Sequence, residues 1–376
     1  MKIAFDGKRA IQNFTGLGNY SRLLISLLCQ HAPQHEYHLY APNRKDEHPR
    51  IQHFFNESPR LYCHYPDNYW HYQKSVWRSW GICRQLEKDH IELYHGLSGE
   101  LPLNISSCAG IKKVVTIHDL IFEHFPQYYK PIDRTIYSLK FRKACQDADK
   151  VIAICECTKR DLMRLYHVPE EKIQVVYQGC DPSFSIPVTT EEKEKIRKSY
   201  HLPEKFILNV GTIEERKNVL LIVQALKNIP EDIHLIILGR ETPYTLKVKA
   251  IAHKLGVGHR IRMMQNIPFP HLPAFYQMAQ VFIYPSRYEG FGIPILEALS
   301  GGTPVIGATG SCLEEAGGPH SIYVHPDDVS SMEKAILMVL EDERKREEMV
   351  REGKVWAGRF SEQKQISDIL HLYQSI

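Results

Sequence analysis

The chain has 376 residues, 43% hydrophobic and 24% charged, with a net charge of +3 and nine cysteines. This mix excludes a disordered or collagenous chain, and the length suits about two domains of roughly 150 residues each. So weak a positive charge excludes a dedicated nucleic-acid binder but suits anionic small molecules or an acidic membrane surface.

Met1 runs straight into "KIAFDG" (2–7), a strand pattern, so no secretory leader is expected. The longest purely apolar runs, such as "LLISLL" at 23–28, are far shorter than the ~20 residues of a membrane helix. The cysteines are odd in number and lack a disulfide spacing, so a reducing, cytoplasmic setting is expected. Cys155 and Cys157 form a C-x-C, but no second ligand pair follows at zinc spacing.

Further strands are predicted at "EYHLYA" (36–41), "IELYHG" (91–96), "KVVTIHD" (113–119), "KVIAIC" (150–155) and "IQVVYQG" (173–179). Most are continuous and β-branched, as buried parallel strands are. Helical patterns connect them; Leu23, Leu24, Leu27 and Leu28 are one example. "CDPSFSIPVTTEEKEKIRKSY" (180–200), with two prolines and a charge run, reads as a linker into a new unit. The rhythm then restarts at "KFILNVG" (205–211), "IHLIILG" (233–239), "RIRMMQ" (260–265), "VFIYPS" (281–286), "TPVIG" (303–307) and "SIYVH" (321–325). The residues from 328 onward read as helical throughout. The fold class is therefore α/β, with two tandem Rossmann-like domains facing a cleft.

"RYEGFGIPILEALSGGTPVI" (287–306) places two carboxylates, Glu289 and Glu297, around a strand–loop–helix turn. Pro294 fits the first helical turn, and Gly301-Gly302 fit its end. Gly290 and Gly292 allow a ligand close to the backbone, and helix-start N–H groups attract anions. Carboxylates repel phosphate but accept bonds from paired hydroxyls, so the pattern suits a nucleotide-sugar. Spacing alone equally fits a Glu297 that favours its helix dipole and a solvated Glu289.

Taken together, "GNYSRLLISLL", "TIHDLIF", "ADKVIAICECTKRDL", "IQVVYQGCD", "NVGTIEERKNV", "EGFGIPILE" and "GTPVIGATGSCLEEAGG" resemble, in order, the motifs of retaining GT-B glycosyltransferases of family 4. The likeness runs over essentially the whole chain and is strongest to bacterial mannosyltransferase-like members of surface-polysaccharide synthesis. It implies an acceptor-side domain at 1–181, a nucleotide-sugar domain at 182–355, and a helix at 356–376 returning to the first domain.

The resemblance also assigns roles. Arg216 and Lys217, after Gly211, would hold the donor diphosphate. Thr212 stands where many members carry an arginine, and Arg216 is the residue available to compensate. Glu289, with Gly290, Phe291, Gly292 and Ile293 beside it, would hold sugar hydroxyls, and Glu297 the ribose diol. The Gly16–Gly18 loop would face the donor phosphate, and His118 would sit near the reacting carbon; an ordinary glycine turn and a bystander histidine remain the alternatives. "GSCLEEAGG" (310–318) would line the donor pocket.

The implied donor is GDP-mannose or a UDP-sugar, with no metal and no other cofactor. The implied partners are a glycan or lipid-linked acceptor and peripheral contact with the inner face of a membrane. "DAD" (147–149) precedes a strand, so it is read as a turn rather than a metal motif. The tryptophans and basic residues of 68–88 fit either a membrane-surface patch or an inward-packed helix with solvated charges. A silent nucleotide-sugar binder and, more remotely, a glycoside hydrolase are the competing functions.

Overall fold

The computed structural model describes all residues except 46, 68, 69 and 71. The start of the 68–88 stretch therefore lies partly outside the described residues. Two compact units emerge: residues 1–177 with 362–376, and residues 178–361.

The first unit is built on β1 (Lys2–Asp6), β2 (Glu36–Tyr40), β3 (Leu61–His64), β4 (Leu93–Gly96), β5 (Lys112–Ile117), β6 (Lys150–Ala153) and β7 (Ile173–Val175). All pair in parallel, in the order β3-β2-β1-β4-β5-β6-β7. Ile3, Ala4 and Phe5 are buried, as a central strand covered on both faces requires. β3 was not foreseen. It is an edge strand of "LYCH" with no fully buried residue, so it lacks the apolar run that marks the others.

The second unit repeats the plan with β8 (Lys205–Val210), β9 (Ile233–Leu238), β10 (Ile261–Met264), β11 (Val281–Tyr284), β12 (Val305–Ala308) and β13 (Ile322–Val324). Their order is β10-β9-β8-β11-β12-β13, again parallel. In each sheet the order reverses beside the first strand, between β1 and β4 or between β8 and β11. Ligands of such sheets bind outside the strand carboxyl ends at that reversal.

The unit boundaries fall at 177/178 and 361/362 rather than at 181/182 and 355/356. Gly353 lies against Leu299, and the Trp356 indole donates to the Glu315 carbonyl, so the helix Glu343–Ala357 is tied to the second unit's core up to its end. Only the helix Glu362–Gln374 joins the first. Its Ile366, Ile369 and Leu372 share a core with Leu24 and Leu28 of the helix Gly16–His31. Tyr373 Oη meets His95 Nδ1 at 2.6 Å.

The segment read as a linker is part of the second unit. Phe184 is fully buried between Phe269 and Tyr276, with ring centroids 5.8 and 5.5 Å away. The charge run after it is a helix, Thr190–Ser199, capped by Thr189. Proline and charge signal a chain break locally, but one well-placed aromatic fixes the segment to the core. Phe184→Ala is expected to cost the second unit about 3–5 kcal/mol in urea denaturation. A free linker would show no change.

Candidate functional site

In the second unit, the loops leaving β8 and β11 lie side by side at the reversal. The β8 loop starts at Gly211, whose φ of +150° favours glycine. Gly239 lets it pass: a Cβ there would stand 1.9 Å from the Gly211 oxygen. A single 3₁₀ turn, Glu215–Lys217, ends at Asn218 in the left-handed region. The buried Asn218 amide donates to the carbonyls of Pro285 (3.2 Å) and Pro326 (2.7 Å), joining the loops after β8, β11 and β13. Arg287 N donates to the Arg216 carbonyl at 2.9 Å.

This frame brings Arg216, Lys217 and Glu289 together. Glu289 meets Lys217 Nζ at 2.5 Å and Arg216 Nη1 at 3.0 Å, one carboxylate oxygen each. All three side chains are nearly enclosed, at 16% exposed for each cation and 11% for the carboxylate. Arg216 also pairs with Glu214 at 2.8 Å and donates to the Tyr288 carbonyl at 2.5 Å. Lys217 donates to Tyr284 Oη at 2.5 Å and lies 4.9 Å from that ring's centroid.

Burial alone would push the Lys217 and Arg216 pKa values down, but Glu289 overcomes it and both are raised. Burial would likewise raise Glu289, yet Lys217 and then Arg216 hold it below its ordinary value. Two cations thus stay charged in a shielded pocket around one anion.

The β11 loop turns at Gly292, φ +114°, into the helix Ile293–Gly301, with Pro294 in its first turn and Gly302 closing it at φ +78°. The Cys312 thiol donates to the carbonyls of Glu289 and Phe291, each at 3.1 Å. "GSCLEEAGG" therefore clamps the Gly290–Phe291–Gly292 turn from behind, a role the sequence did not reveal. Glu297 lies beyond the first helical turn, where the dipole has little effect. It instead accepts from Tyr276 Oη at 2.6 Å. Burial pushes its pKa up to about 7, against the pull of the Tyr276 bond and with a further push from Asp181.

The remaining predicted residues lie in the first unit, at the carboxyl edge of its sheet. A Cβ on Gly16 would meet no atom of the described residues within 4 Å beyond its own stretch of chain, while a Cβ on Gly18 would stand 1.7 Å from the Asn13 oxygen. Gly18 is thus demanded by close packing of helix on turn. His118 Nε2 donates to the Leu97 carbonyl at 2.9 Å, which places the neutral ring's proton on that nitrogen. The Tyr20 ring meets it edge-on at 4.6 Å. Burial lowers the His118 pKa to about 4, so the imidazole is neutral near pH 7. Asp119 accepts from Ile121 N at 3.1 Å and shapes the following turn.

Glu100, which lines the same cavity as His118, belongs to a feature the sequence hid. Arg78 is buried and bridges Asp6 at the end of β1 to Glu100, which Lys140 also meets at 3.1 Å. Arg78 was read with the solvated basic residues of 68–88. It instead bridges two buried carboxylates at the first sheet's reversal, with Lys140 supplying the second positive charge, while Trp77 packs inward and Trp80 stays exposed.

"DAD" is a helix end and turn at the opposite sheet edge: Asp147 pairs with Lys143, and Asp149 accepts from Lys113 N. Cys155 caps the helix Glu156–Tyr166 through Thr158 N, which accounts for one half of the C-x-C.

Two family models divide most of the chain. One described as Glycosyltransferase Family 4 matches residues 15–184, and one described as Glycosyl transferases group 1 matches residues 192–356. The chain is 28% identical to the O-antigen chain mannosyltransferase B of Escherichia coli, with 100% of each covered. It is 27% identical to the O-antigen chain mannosyltransferase RfbU of Salmonella typhimurium over 60% of each chain. Among solved structures, Anabaena Alr3699/HepE in complex with UDP-glucose matches with a TM-score of 0.77 at 16% identity, covering 100% of both chains. No helix among the described residues is long and apolar enough to cross a membrane.

The Glu297 environment has a pH signature. Its folded pKa of about 7 lies above the ordinary 4.5, so between those values the folded state holds a proton that the unfolded state has lost. Stability therefore falls as pH rises through that window and levels off above it. Glu297→Gln lacks this loss. Urea denaturation of both proteins across the window should show the variant's relative stability growing and then reaching a plateau; a constant difference would contradict the assignment.

Proposed function

We propose that this chain, which belongs to the GT-B glycosyltransferases, moves a hexose from a nucleotide-sugar to a glycan or lipid-linked acceptor of surface polysaccharide, with retention at the anomeric carbon. The observation that carries the reading is the Arg216–Glu289–Lys217 cluster at the reversal of the second sheet. A donor diphosphate takes over the two cations, which then stabilise the charge developing on the leaving group. Glu289, released from them, turns its carboxylate to sugar hydroxyls. Glu297 loses its proton and accepts from the ribose diol, with Tyr276 still donating to it. The Gly290–Ile293 backbone lines the sugar side of the pocket.

In the first unit, the Gly16–Gly18 loop is assigned to the donor phosphate and neutral His118 to the neighbourhood of the reacting carbon, as a positioning group. No metal is assigned, since Arg216 and Lys217 supply the positive field. Mannose is the hexose favoured by the mannosyltransferase relatives.

A hydrolase reading has one observation in its favour. The two carboxylates are pushed apart in pKa, Glu289 down and Glu297 up, as an acid/base pair would be. Both oxygens of Glu289 are taken by cations, however, which suits an anionic ligand better than a neutral glycoside.

Incubation with labelled GDP-mannose and UDP-sugars separates the readings. Acceptor-dependent transfer supports this one, hydrolysis of a free glycoside supports the second, and saturable binding without turnover indicates a silent binder. Glu289→Gln should lower transfer about a hundredfold or more while nucleoside diphosphate affinity is kept or rises, because it frees two cations. Glu297→Ala should instead weaken that affinity about tenfold, the size of a lost hydrogen bond to a charged group. Calorimetry showing equal loss of affinity in both would rule out this division of roles.

A further inference from the structure

The loop that carries Glu289 holds one polar group with no evident use. Ser286 lies two residues past the end of β11 and three before Glu289. It is fully buried, and its hydroxyl makes no hydrogen bond of normal geometry among the described residues. A buried hydroxyl left without a partner costs folding free energy that an alanine would not, so such a group calls for a reason. Slack in the backbone is not the reason. On one side the Asn218 amide holds the Pro285 carbonyl at 3.2 Å; on the other, Arg287 N donates to the Arg216 carbonyl at 2.9 Å.

The neighbour of that hydroxyl is the Glu289 carboxylate. Burial works against the anion there; Lys217 and then Arg216 outweigh it, and the Ser286 hydroxyl adds a smaller pull of its own. A diphosphate that draws Lys217 and Arg216 to itself leaves Glu289 without its two strongest partners, in a pocket that exposes only 11% of its side chain. A carboxylate so placed needs a donor from the protein to stay ionised and to keep one orientation. The Cys312 thiol is committed to the Glu289 and Phe291 carbonyls, and the Tyr288 carbonyl can only accept. Ser286 has an uncommitted proton at the right place.

We propose that Ser286 is a positioning residue of the transfer: when the donor diphosphate takes Lys217 and Arg216, the Ser286 hydroxyl donates to the released Glu289 carboxylate and turns its other oxygen to the sugar hydroxyls. Enclosed as it is, the hydroxyl touches no ligand itself and acts only through Glu289. The inference rests on the transfer reading and adds to it the group that steers the sugar-holding carboxylate.

The test compares wild type, Ser286→Ala, Glu289→Gln and the double variant. Calorimetry gives the affinity for GDP-mannose and UDP-glucose, each against its free diphosphate, and transfer rates are measured alongside. Ser286→Ala should weaken the preferred nucleotide-sugar about tenfold relative to its diphosphate, the size of a lost hydrogen bond to a charged group, and slow transfer at least as much. Diphosphate affinity should stay, and the melting temperature should hold or rise, because an unpartnered polar group has been removed. In the Glu289→Gln background the same substitution should add nothing, since the hydroxyl acts through that carboxylate. An equal loss in that background, a loss of diphosphate affinity, or no loss at all would overturn the proposal. A lower melting temperature would overturn it too, by giving the hydroxyl a structural partner. Wild type that binds a nucleotide-sugar and never transfers it would sink the transfer reading, and the affinities alone would then decide the role of Ser286. Wild type that binds no nucleotide would sink both.

Discussion

Glu289 bridges two cations that would otherwise face each other in a shielded pocket, and Glu214 supplies the second negative charge at Arg216. Arg216 and Lys217 are adjacent in sequence and almost enclosed, and each takes a separate oxygen of that one carboxylate. Removing one partner from such a cluster is costly because a buried charge is left uncompensated. The surrounding structure serves this geometry. Asn218 pins the loops that carry the cations and the carboxylate, Gly239 makes room for the Gly211 carbonyl, and Cys312 holds the Glu289 and Phe291 carbonyls. Both cations are thus already met by a carboxylate of the chain itself.

The second carboxylate obeys the opposite logic. Among the described residues Glu297 has no cation at its side; it has a buried tyrosine hydroxyl and an apolar helix. Burial therefore dominates and keeps it poised near neutrality. Two glutamates eight positions apart in one strand–loop–helix are thus held in contrasting states, the first as a salt-bridged anion and the second as a titrating hydroxyl partner.

Most of the architecture was legible because buried parallel strands announce themselves as continuous apolar runs. All six strands of the second sheet and six of the first were foreseen; β3 escaped because an edge strand with a wet surface carries no such run. The mistaken linker at 180–200 shows the same limit, since a single residue, Phe184, overrides the local signals. At the site, residue types and spacing pointed to Arg216, Lys217, Glu289 and Glu297, but not to who touches whom. That Lys217 and Glu289, 72 positions apart, meet depends on β8 and β11 being neighbours. Arg78 was misread for the same reason, because Asp6 lies 72 positions away and across a strand order the local sequence does not encode. Cys312 gave no sequence signal, as a lone thiol between glycine-rich turns looks like any buried cysteine.

The central claim is that Lys217 and Arg216 are held for a diphosphate. Calorimetric titration of wild type and Lys217→Met with GDP and UDP, each against its parent nucleoside, addresses this most directly. The account predicts that wild type binds one diphosphate about tenfold or more tighter than its nucleoside, that salt erodes the difference, and that Lys217→Met largely abolishes it while nucleoside affinity stays. Equal affinity for nucleoside and diphosphate in wild type, or an unchanged preference in the variant, would contradict it.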